Sequence, residues 1–221
     1  MHYGRRGASR AFFVESAMTD LGYTHRFVPA TDNTKPPLLL LHGQGGSEDD
    51  LLPLGQRLAP GAALLSPRGD TQFQGMTRFF GRLPNGDWDV PDFKHRTLRL
   101  ANFVERAKKA YGLDKLFAVG FSNGSNIGWS LLMARPDLVR GAILLRPMLP
   151  FDPRPLPDLS GVPILVLGGA RDEVVPSDQP APLIAALKKA GADVTHATLP
   201  TGHRLIEQDL TISQDWLARH G

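Results

Sequence analysis

Short apolar runs recur along the chain, and most are bounded by Gly, Pro or Asp, a pattern that predicts buried β-strands. Stretches with apolar residues at spacings of three and four lie between them and predict helices, most clearly from Phe93 to Tyr111. Such alternation is typical of an α/β protein, in which helices cover both faces of a mostly parallel sheet. The predicted strands are 62–66, 115–120, 141–145, 162–167 and 194–199, and the other clear helices are 182–190 and 206–220.

Two further apolar segments near the start of this pattern predict an antiparallel hairpin. Residues 23–29 and 37–41 flank the polar, turn-like residues 31–34. We therefore expect an antiparallel N-terminal hairpin at one edge of the sheet.

The domain organisation follows from what lies outside the periodic segments. Residues 1–20 are expected to be a loose leader, because Glu15 interrupts their apolar stretch after four residues, too soon for a signal sequence. Residues 21–221 contain no repeat and no linker-like change in composition, so we expect a single domain. The segment 67–91 shows neither the helical nor the strand spacing of apolar residues, and it contains four Gly and three Pro. This composition predicts a lid-like loop without regular structure.

The composition narrows the classes of partner and chemistry. The chain has 221 residues, 42% of them hydrophobic, with a net charge of only +3 and no run of like charges, which argues against nucleic acid or an anionic membrane as partner. No apolar run is long enough to span a bilayer, and we expect a cytoplasmic protein. The absence of cysteine excludes disulfides, thiolate metal sites and a cysteine nucleophile.

The stretch Gly120-Phe121-Ser122-Asn123-Gly124 joins a predicted strand to a predicted helix. A sharp strand-to-helix turn strains its central residue, and the neighbouring chain leaves no room for side chains two residues before and after it. The two glycines meet this requirement, so the serine is expected to stand exposed above the sheet edge as a nucleophile. A glycine-rich turn with an ordinary surface serine is the alternative.

A serine hydroxyl is a weak nucleophile at neutral pH, so this hypothesis needs a base and a group that orients the base. Of the seven histidines, His203 follows the last predicted strand, on a loop at the carboxyl end of the sheet where α/β proteins collect their sites. Asp172 follows the preceding strand, and the order Ser122, Asp172, His203 is the one expected on such a fold. Glu173 and Asp178 are alternative acids.

Two backbone N–H groups are candidates for stabilising an oxyanion. Asn123 follows the serine at a helix start, where unpaired N–H groups and the helix dipole favour negative charge. Gln44 lies in the glycine-rich turn 42–46 after an apolar strand, in which we interpret His42 as a residue that shapes the turn. This turn lacks the Gly-Lys-Ser/Thr ending of a phosphate-binding loop and the third glycine of a dinucleotide fingerprint.

Seven motifs follow one another in register from about residue 20 to the end of the chain. They are LHGQGG (41–46), SPRG (66–69), RFF (78–80), GFSNGSNI (120–127), PMLPF (147–151), DEVVP (172–176) and GH (202–203). Together they resemble the phospholipase/carboxylesterase family of α/β-hydrolases, and in particular its bacterial branch of small carboxylesterases related to hydroquinone-stress hydrolases. The resemblance implies an α/β-hydrolase fold and a Ser-Asp-His esterase or thioesterase that uses no cofactor or metal and is frequently a dimer. Gln44 departs from the family at a position where only the backbone would be used.

The leading hypothesis is a carboxylesterase that acts on a small-molecule ester through an acyl-enzyme intermediate. The alternatives are an acyl thioesterase or lysophospholipase-type activity with the same three residues, and a non-enzymatic ligand receptor on the same fold. Candidates for an apolar substrate pocket, for which core packing is the competing interpretation, are Phe79, Phe80, Trp88, Met148 and Phe151. Candidates for attracting a negatively charged substrate tail, or for tying down the loop, are Arg68, Arg78 and Arg82.

Overall fold

A computed structural model describes residues 21–221, and the leader expected at 1–20 lies outside these residues. Within the described range, nine strands and five helices follow one another along the chain. In order they are β1 (His25–Val28), β2 (Leu38–Leu41), α1 (Leu52–Leu58), β3 (Leu64–Pro67), β4 (Thr71–Phe73), β5 (Met76–Arg78), α2 (Val90–Tyr111), β6 (Leu116–Phe121), α3 (Asn123–Ala134), β7 (Val139–Leu145), β8 (Pro163–Gly169), α4 (Pro180–Lys189), β9 (Asp193–Leu199) and α5 (Glu207–His220).

Seven of the strands form one sheet in the order β1-β3-β2-β6-β7-β8-β9, in which every pairing is parallel except that of the edge strand β1. Because β2 is buried on both faces, its four leucines alternate between two apolar clusters. Leu39 and Leu41 pack in the cluster that includes α2, α3 and α4, and Leu38 and Leu40 in the cluster that includes α1 and α5. The α/β architecture expected from the sequence is confirmed.

The ends of α2 show how local sequence sets an element's length. The Asp89 side chain accepts a hydrogen bond from the Asp92 N–H at 3.0 Å and caps the first turn. Pro91 has no N–H, which costs nothing in the first turn because N–H groups there have no partner within the helix. Gly112 ends the helix at φ 64°, in the left-handed region that glycine adopts without strain. None of the helices in residues 21–221 is both long and apolar enough to cross a membrane.

The predicted N-terminal hairpin was wrong in its pairing. β1 pairs antiparallel with β3, where His25 lies opposite Pro67, while β2 enters the sheet between β3 and β6. The reason is burial: all four residues of β2 are buried and need neighbours on both sides, whereas β1 is partly exposed and suits an edge. The antiparallel edge strand itself is confirmed.

The segment 67–91 is more regular than the sequence predicted. β4 and β5 form a two-stranded antiparallel hairpin, and Arg82 forms an isolated bridge with Trp88 before α2 begins. The prediction that this segment has no regular structure was wrong. Its strands are only three residues long, too short for an alternation of apolar and polar residues to be visible in the sequence. A lid function for this segment stays a prediction.

Candidate active site

Ser122 occupies the turn between β6 and α3 in a strained backbone conformation, with φ 53° and ψ −111°. The turn is possible only with glycine on each side. A Cβ atom on Gly120 would lie 2.5 Å from the carbonyl oxygen of Gly124, and one on Gly124 would lie 1.9 Å from that of Leu41. The Ser122 N–H donates to the carbonyl of Leu145 at 2.8 Å, which ties the turn to β7.

The structure brings Ser122, His203 and Asp172 together at the carboxyl edge of the sheet. His203 Nε2 lies 3.0 Å from Ser122 Oγ, and His203 Nδ1 lies 2.9 Å from Asp172 Oδ2. The three side chains come from the loops that follow β6, β9 and β8, which end at the same edge because the strands are parallel. The alternative acids Glu173 and Asp178 are exposed.

The carboxyl group of Asp172 is held in its ionised form. Burial acts to raise its pKa, but hydrogen bonds from the Val175 N–H, the His203 ring and the Val174 N–H, together with the charge of His203, outweigh burial and leave the pKa below its ordinary value. The two N–H groups donate to Oδ1 at 2.9 Å from Val174 and 2.8 Å from Val175. An ionised carboxylate accepts a hydrogen bond from the Nδ1–H of His203, which keeps that proton on Nδ1 and leaves Nε2 free to accept the hydroxyl proton of Ser122.

The two predicted oxyanion donors come from different elements, Gln44 from the turn after β2 and Asn123 from the first residue of α3. Within residues 21–221, neither the Gln44 N–H nor the Asn123 N–H donates a hydrogen bond. The Gln44 turn is positioned by its neighbours, because the Gly45 N–H donates to Thr77 at 2.8 Å and the Gln44 side chain contacts Met76. Two available N–H groups, one of them at a helix N-terminus, form an environment that favours negative charge.

His42 shapes the turn that carries Gln44. One ring nitrogen, Nδ1, lies 2.7 Å from the Gly43 carbonyl, and the other, Nε2, accepts a hydrogen bond from the Gly69 N–H at 2.9 Å. Burial lowers the pKa of His42, which keeps the ring neutral as the second contact requires. The ring therefore connects the turn to the segment that follows β3.

Polar side chains in the first turn of α3 hold the surrounding loops, a role that the sequence analysis missed. Asn123 Oδ1 accepts a hydrogen bond from the Phe79 N–H at 2.9 Å, and Asn126 Oδ1 accepts one from the Met148 N–H at 3.0 Å. Both asparagines are buried. Their place at the start of an otherwise apolar helix was the available signal, because a buried amide needs a partner.

Arg146 is a second residue that the sequence analysis missed. It is fully buried just after β7 and forms a two-pronged ion pair with Asp209, with nitrogen–oxygen distances of 2.7 and 2.9 Å. Its guanidinium also donates to the carbonyls of Gly202 and Arg204, each at 3.2 Å. These carbonyls flank His203, so Arg146 holds the loop on both sides of the imidazole.

The residues predicted to line an apolar pocket separate into two groups. Phe79 and Phe80 are each 1% exposed and belong to the hydrophobic core, so their assignment to an open pocket was wrong. Their rings pack against other rings, with centroid distances of 4.7 Å from Phe79 to His42 and 4.0 Å from Phe80 to Phe93. Trp88, Met148 and Phe151 are partly exposed and stay candidates for substrate contact. Within residues 21–221, no group of three His, Asp or Glu side chains is placed to hold a metal ion.

The fold and the site together define a protein of the α/β-hydrolase class: a serine on a strand–turn–helix junction touches a His–Asp pair at the carboxyl edge of a mostly parallel sheet. The model of the alpha/beta hydrolase fold family matches residues 36–160, more than half of the chain. The chain therefore belongs to the α/β-hydrolase fold family.

Three relatives are similar over most of their lengths. The protein MhqD of Bacillus subtilis (strain 168), a hydrolase by name, is 38% identical over 181 residues, which cover 81% of this chain and 90% of MhqD. The crystal structure of the Bacillus cereus carboxylesterase is 36% identical, with a TM-score of 0.88 and coverage of 91% of this chain and 96% of that one. A carboxylesterase from Mesorhizobium loti is 35% identical, with a TM-score of 0.85 and coverage of 91% and 97%. These relatives support an ester hydrolase activity.

Proposed function

We propose that this protein is a carboxylesterase in which Ser122 is the nucleophile, His203 the general base and Asp172 the residue that orients it. The observation that carries the proposal is the 3.0 Å contact between His203 Nε2 and Ser122 Oγ, with Asp172 on the other ring nitrogen. This geometry supports proton transfer from the hydroxyl to the imidazole as the serine attacks.

The reaction proceeds in two halves. Ser122 Oγ bonds to the ester carbonyl carbon while its proton moves to His203, and the carbonyl oxygen becomes an anion that accepts hydrogen bonds from the Gln44 and Asn123 N–H groups. The tetrahedral intermediate breaks its bond to the alkoxy oxygen, which leaves as an alcohol with the proton from His203. Water then attacks the acyl-serine with the same proton relay, which releases the carboxylic acid and restores Ser122.

The test compares the wild-type protein with Ser122→Ala on aryl and alkyl esters and with a fluorophosphonate probe. We expect ester hydrolysis and labelling in the wild type, and a loss of about 10⁴-fold or more in kcat with no labelling in Ser122→Ala. Thr201→Ala, in the loop beside His203, is the matched control for hydroxyl removal and should stay active. Labelling that persists in Ser122→Ala, or a wild type that neither reacts nor hydrolyses any ester, would contradict the proposal and favour a ligand receptor.

Oxygen esters and thioesters use the same three residues, so matched pairs with one acyl group are included in the panel. We expect the oxygen ester of each pair to have the larger kcat/KM. The homodimer implied by the family resemblance stays a prediction, and equilibrium sedimentation of the full chain tests it.

A further inference from the structure

Three arginines lie in or beside the β4–β5 hairpin, and two of them have clear structural partners. Arg68 forms an ion pair with the buried Glu48, with a distance of 2.8 Å between Nη2 and Oε1. Arg82 donates to the Gly86 carbonyl at 2.7 Å, and its guanidinium lies 3.9 Å from the centre of the Trp88 ring. These two arginines tie the segment 67–91 to itself and to the 43–50 region.

Arg78 is different, because it is buried without an anion. Its residue is only 8% exposed, yet within residues 21–221 its guanidinium forms no hydrogen bond and no ion pair, and its Nε is buried with no partner. The nearby groups are the Phe73 ring, 5.1 Å from the guanidinium carbon, and the positive charge of Arg82. Burial, followed by the charge of Arg82, lowers the pKa of Arg78, which nevertheless stays protonated at any physiological pH.

Such a cation is unfavourable unless something compensates it. Arginine cannot lose its proton to relieve the cost of burial, as a lysine or histidine does. A buried charge in a folded protein is therefore normally paired with a carboxylate. Residues 21–221 place no carboxylate there, and a bound anion would supply the missing partner.

The backbone of Arg78 is fixed beside the candidate oxyanion site. The preceding residue, Thr77, accepts the hydrogen bond from the Gly45 N–H at 2.8 Å, and the following residue, Phe79, donates to the Asn123 side chain at 2.9 Å. Gly45 is adjacent to Gln44, and Asn123 is adjacent to Ser122. Arg78 therefore lies on the strand that bridges the two proposed oxyanion donors.

We propose that Arg78 is the counter-ion for a carboxylate carried by the substrate, so that the site prefers esters with a negative charge on the acyl or the alcohol part. The guanidinium presents two parallel N–H donors that match the two oxygens of a carboxylate. This inference rests on the proposed esterase function, because it assigns the substrate class of the same site.

The first test uses two pairs of esters that differ only in charge. One pair carries the charge on the alcohol part, 3-acetoxybenzoate against 3-acetoxybenzamide, and the other carries it on the acyl part, the 4-nitrophenyl half-ester of adipic acid against its methyl-capped form. We expect the charged member of at least one pair to have the lower KM in the wild type. No preference for the charged member of either pair would overturn the inference.

The variants for this test are Arg78→Met, which removes the charge at similar length, and Arg78→Lys, which keeps it. For the preferred charged ester we expect KM to rise by about 10- to 100-fold in Arg78→Met and by less in Arg78→Lys. The neutral member of the pair should lose less than the charged member. The matched control Arg106→Met removes one exposed charge from α2 and should leave all values unchanged. An equal loss on both members of a pair would show a structural role and contradict the inference.

The second test measures binding and stability without turnover. Adipate should slow fluorophosphonate labelling of Ser122 in the wild type but not in Arg78→Met, and protection by inorganic phosphate without protection by adipate would contradict a carboxylate site. The melting temperature of Arg78→Met should be at least that of the wild type, because an uncompensated buried charge is removed. A lower melting temperature in Arg78→Met would show that Arg78 stabilises the fold. The comparison of KM values would then rest on Arg78→Lys, which keeps the charge. A wild-type protein that is never labelled would contradict the proposed esterase function rather than the role of Arg78.

Discussion

The two sides of the candidate site differ in the pairing of particular polar groups. On the side formed by the ends of β7, β8 and β9, each group has a partner: Arg146 pairs with Asp209, and Asp172 pairs with His203. On the side formed by the turn 42–46 and β5, the Gln44 N–H and the Arg78 guanidinium have no partner within the described range.

Under the proposed function, this difference separates the side that positions His203 from the side that would meet the substrate. A buried polar group without a hydrogen bond costs on the order of 1–3 kcal/mol, so saturated groups stabilise the fold and fix the positions of their neighbours. On the other side, the buried Nε of Arg78 has no partner, and the N–H of the exposed Gln44 is open to a bound acceptor. The saturated side therefore positions His203, and the unsaturated side is suited to an oxyanion and a carboxylate.

The largest effect should come from Asp172→Asn, which changes the group that pairs with His203 on the saturated side. The asparagine oxygen keeps the two hydrogen bonds from Val174 and Val175, so its amide NH₂ must face His203 Nδ1. That nitrogen then becomes an acceptor, the proton moves to Nε2, and the ring can no longer take the Ser122 proton. We expect kcat to fall by about 10⁴-fold with a near-normal melting temperature, measured by ester hydrolysis and circular dichroism. A loss below tenfold would show that Asp172 does not set the tautomer.

Arg146→Met is expected to lower the free energy of unfolding by about 3–5 kcal/mol, because it leaves the Asp209 carboxylate buried without a cation. Urea unfolding measures this loss. Removing both charges in Arg146→Met/Asp209→Leu should restore part of the stability.

Activity separates the two roles of this arginine. The double variant should stay poorly active, because the Gly202 and Arg204 carbonyls still lack the donor that holds the His203 loop. Full activity in a stable double variant would show that Arg146 serves the fold alone.

Asn123→Ala sharpens the comparison, because the Asn123 side chain ties Phe79, just after β5, to the start of α3. The variant leaves the buried Phe79 N–H without an acceptor, at an expected cost of about 1–3 kcal/mol in unfolding free energy, but it keeps the backbone N–H at position 123. We expect KM for the preferred charged ester to rise, since β5 is no longer tied to α3. The matched control is Asn126→Ala, which removes the acceptor of the Met148 N–H instead. Equal effects of both variants on KM would show that the β5 contact is not specific.

The smallest effect is the pH dependence of kcat/KM, which tests whether the activity depends on a single proton, that of His203. Protonated His203 cannot accept the Ser122 proton, so kcat/KM should fall as the pH falls and be retained as it rises. The pKa of Asp172 is lowered, so its carboxylate stays ionised and adds no second proton through mildly acid pH. We expect the loss to stay at or below about tenfold per pH unit as the pH falls, the slope of a single proton. A flat profile, or a loss approaching a hundredfold per unit, would contradict a single imidazole base.

Parts of the site could be predicted because the cause is local. Gly120 and Gly124 are required by a turn of five residues, so the sequence alone marks Ser122 as the residue held at its apex. The positions of Asp172 and His203 could be inferred from chain order, since loops after parallel strands end at one edge of the sheet. The helix could be predicted from Phe93 to Tyr111 because its apolar period repeats over about five turns, although its first three residues were missed.

Other parts could not be predicted, because they depend on residues far apart in the chain. The partner of β1 is chosen by burial of the whole sheet, not by the turn that follows it. Phe79 and Phe80 were placed in a pocket because an aromatic pair has the same sequence pattern in a core as at a surface. Arg146 stands 63 residues from Asp209, and no local pattern connects them.

The amino-acid sequence by itself determined the α/β class, the strained serine turn and the chain order of Ser122, Asp172 and His203, because steric limits and periodicity act over a few residues. Only the tertiary structure decided which arginine is neutralised and which is not. Whether a charge meets a carboxylate depends on distances between segments, and those distances exist only after the sheet has brought the segments together.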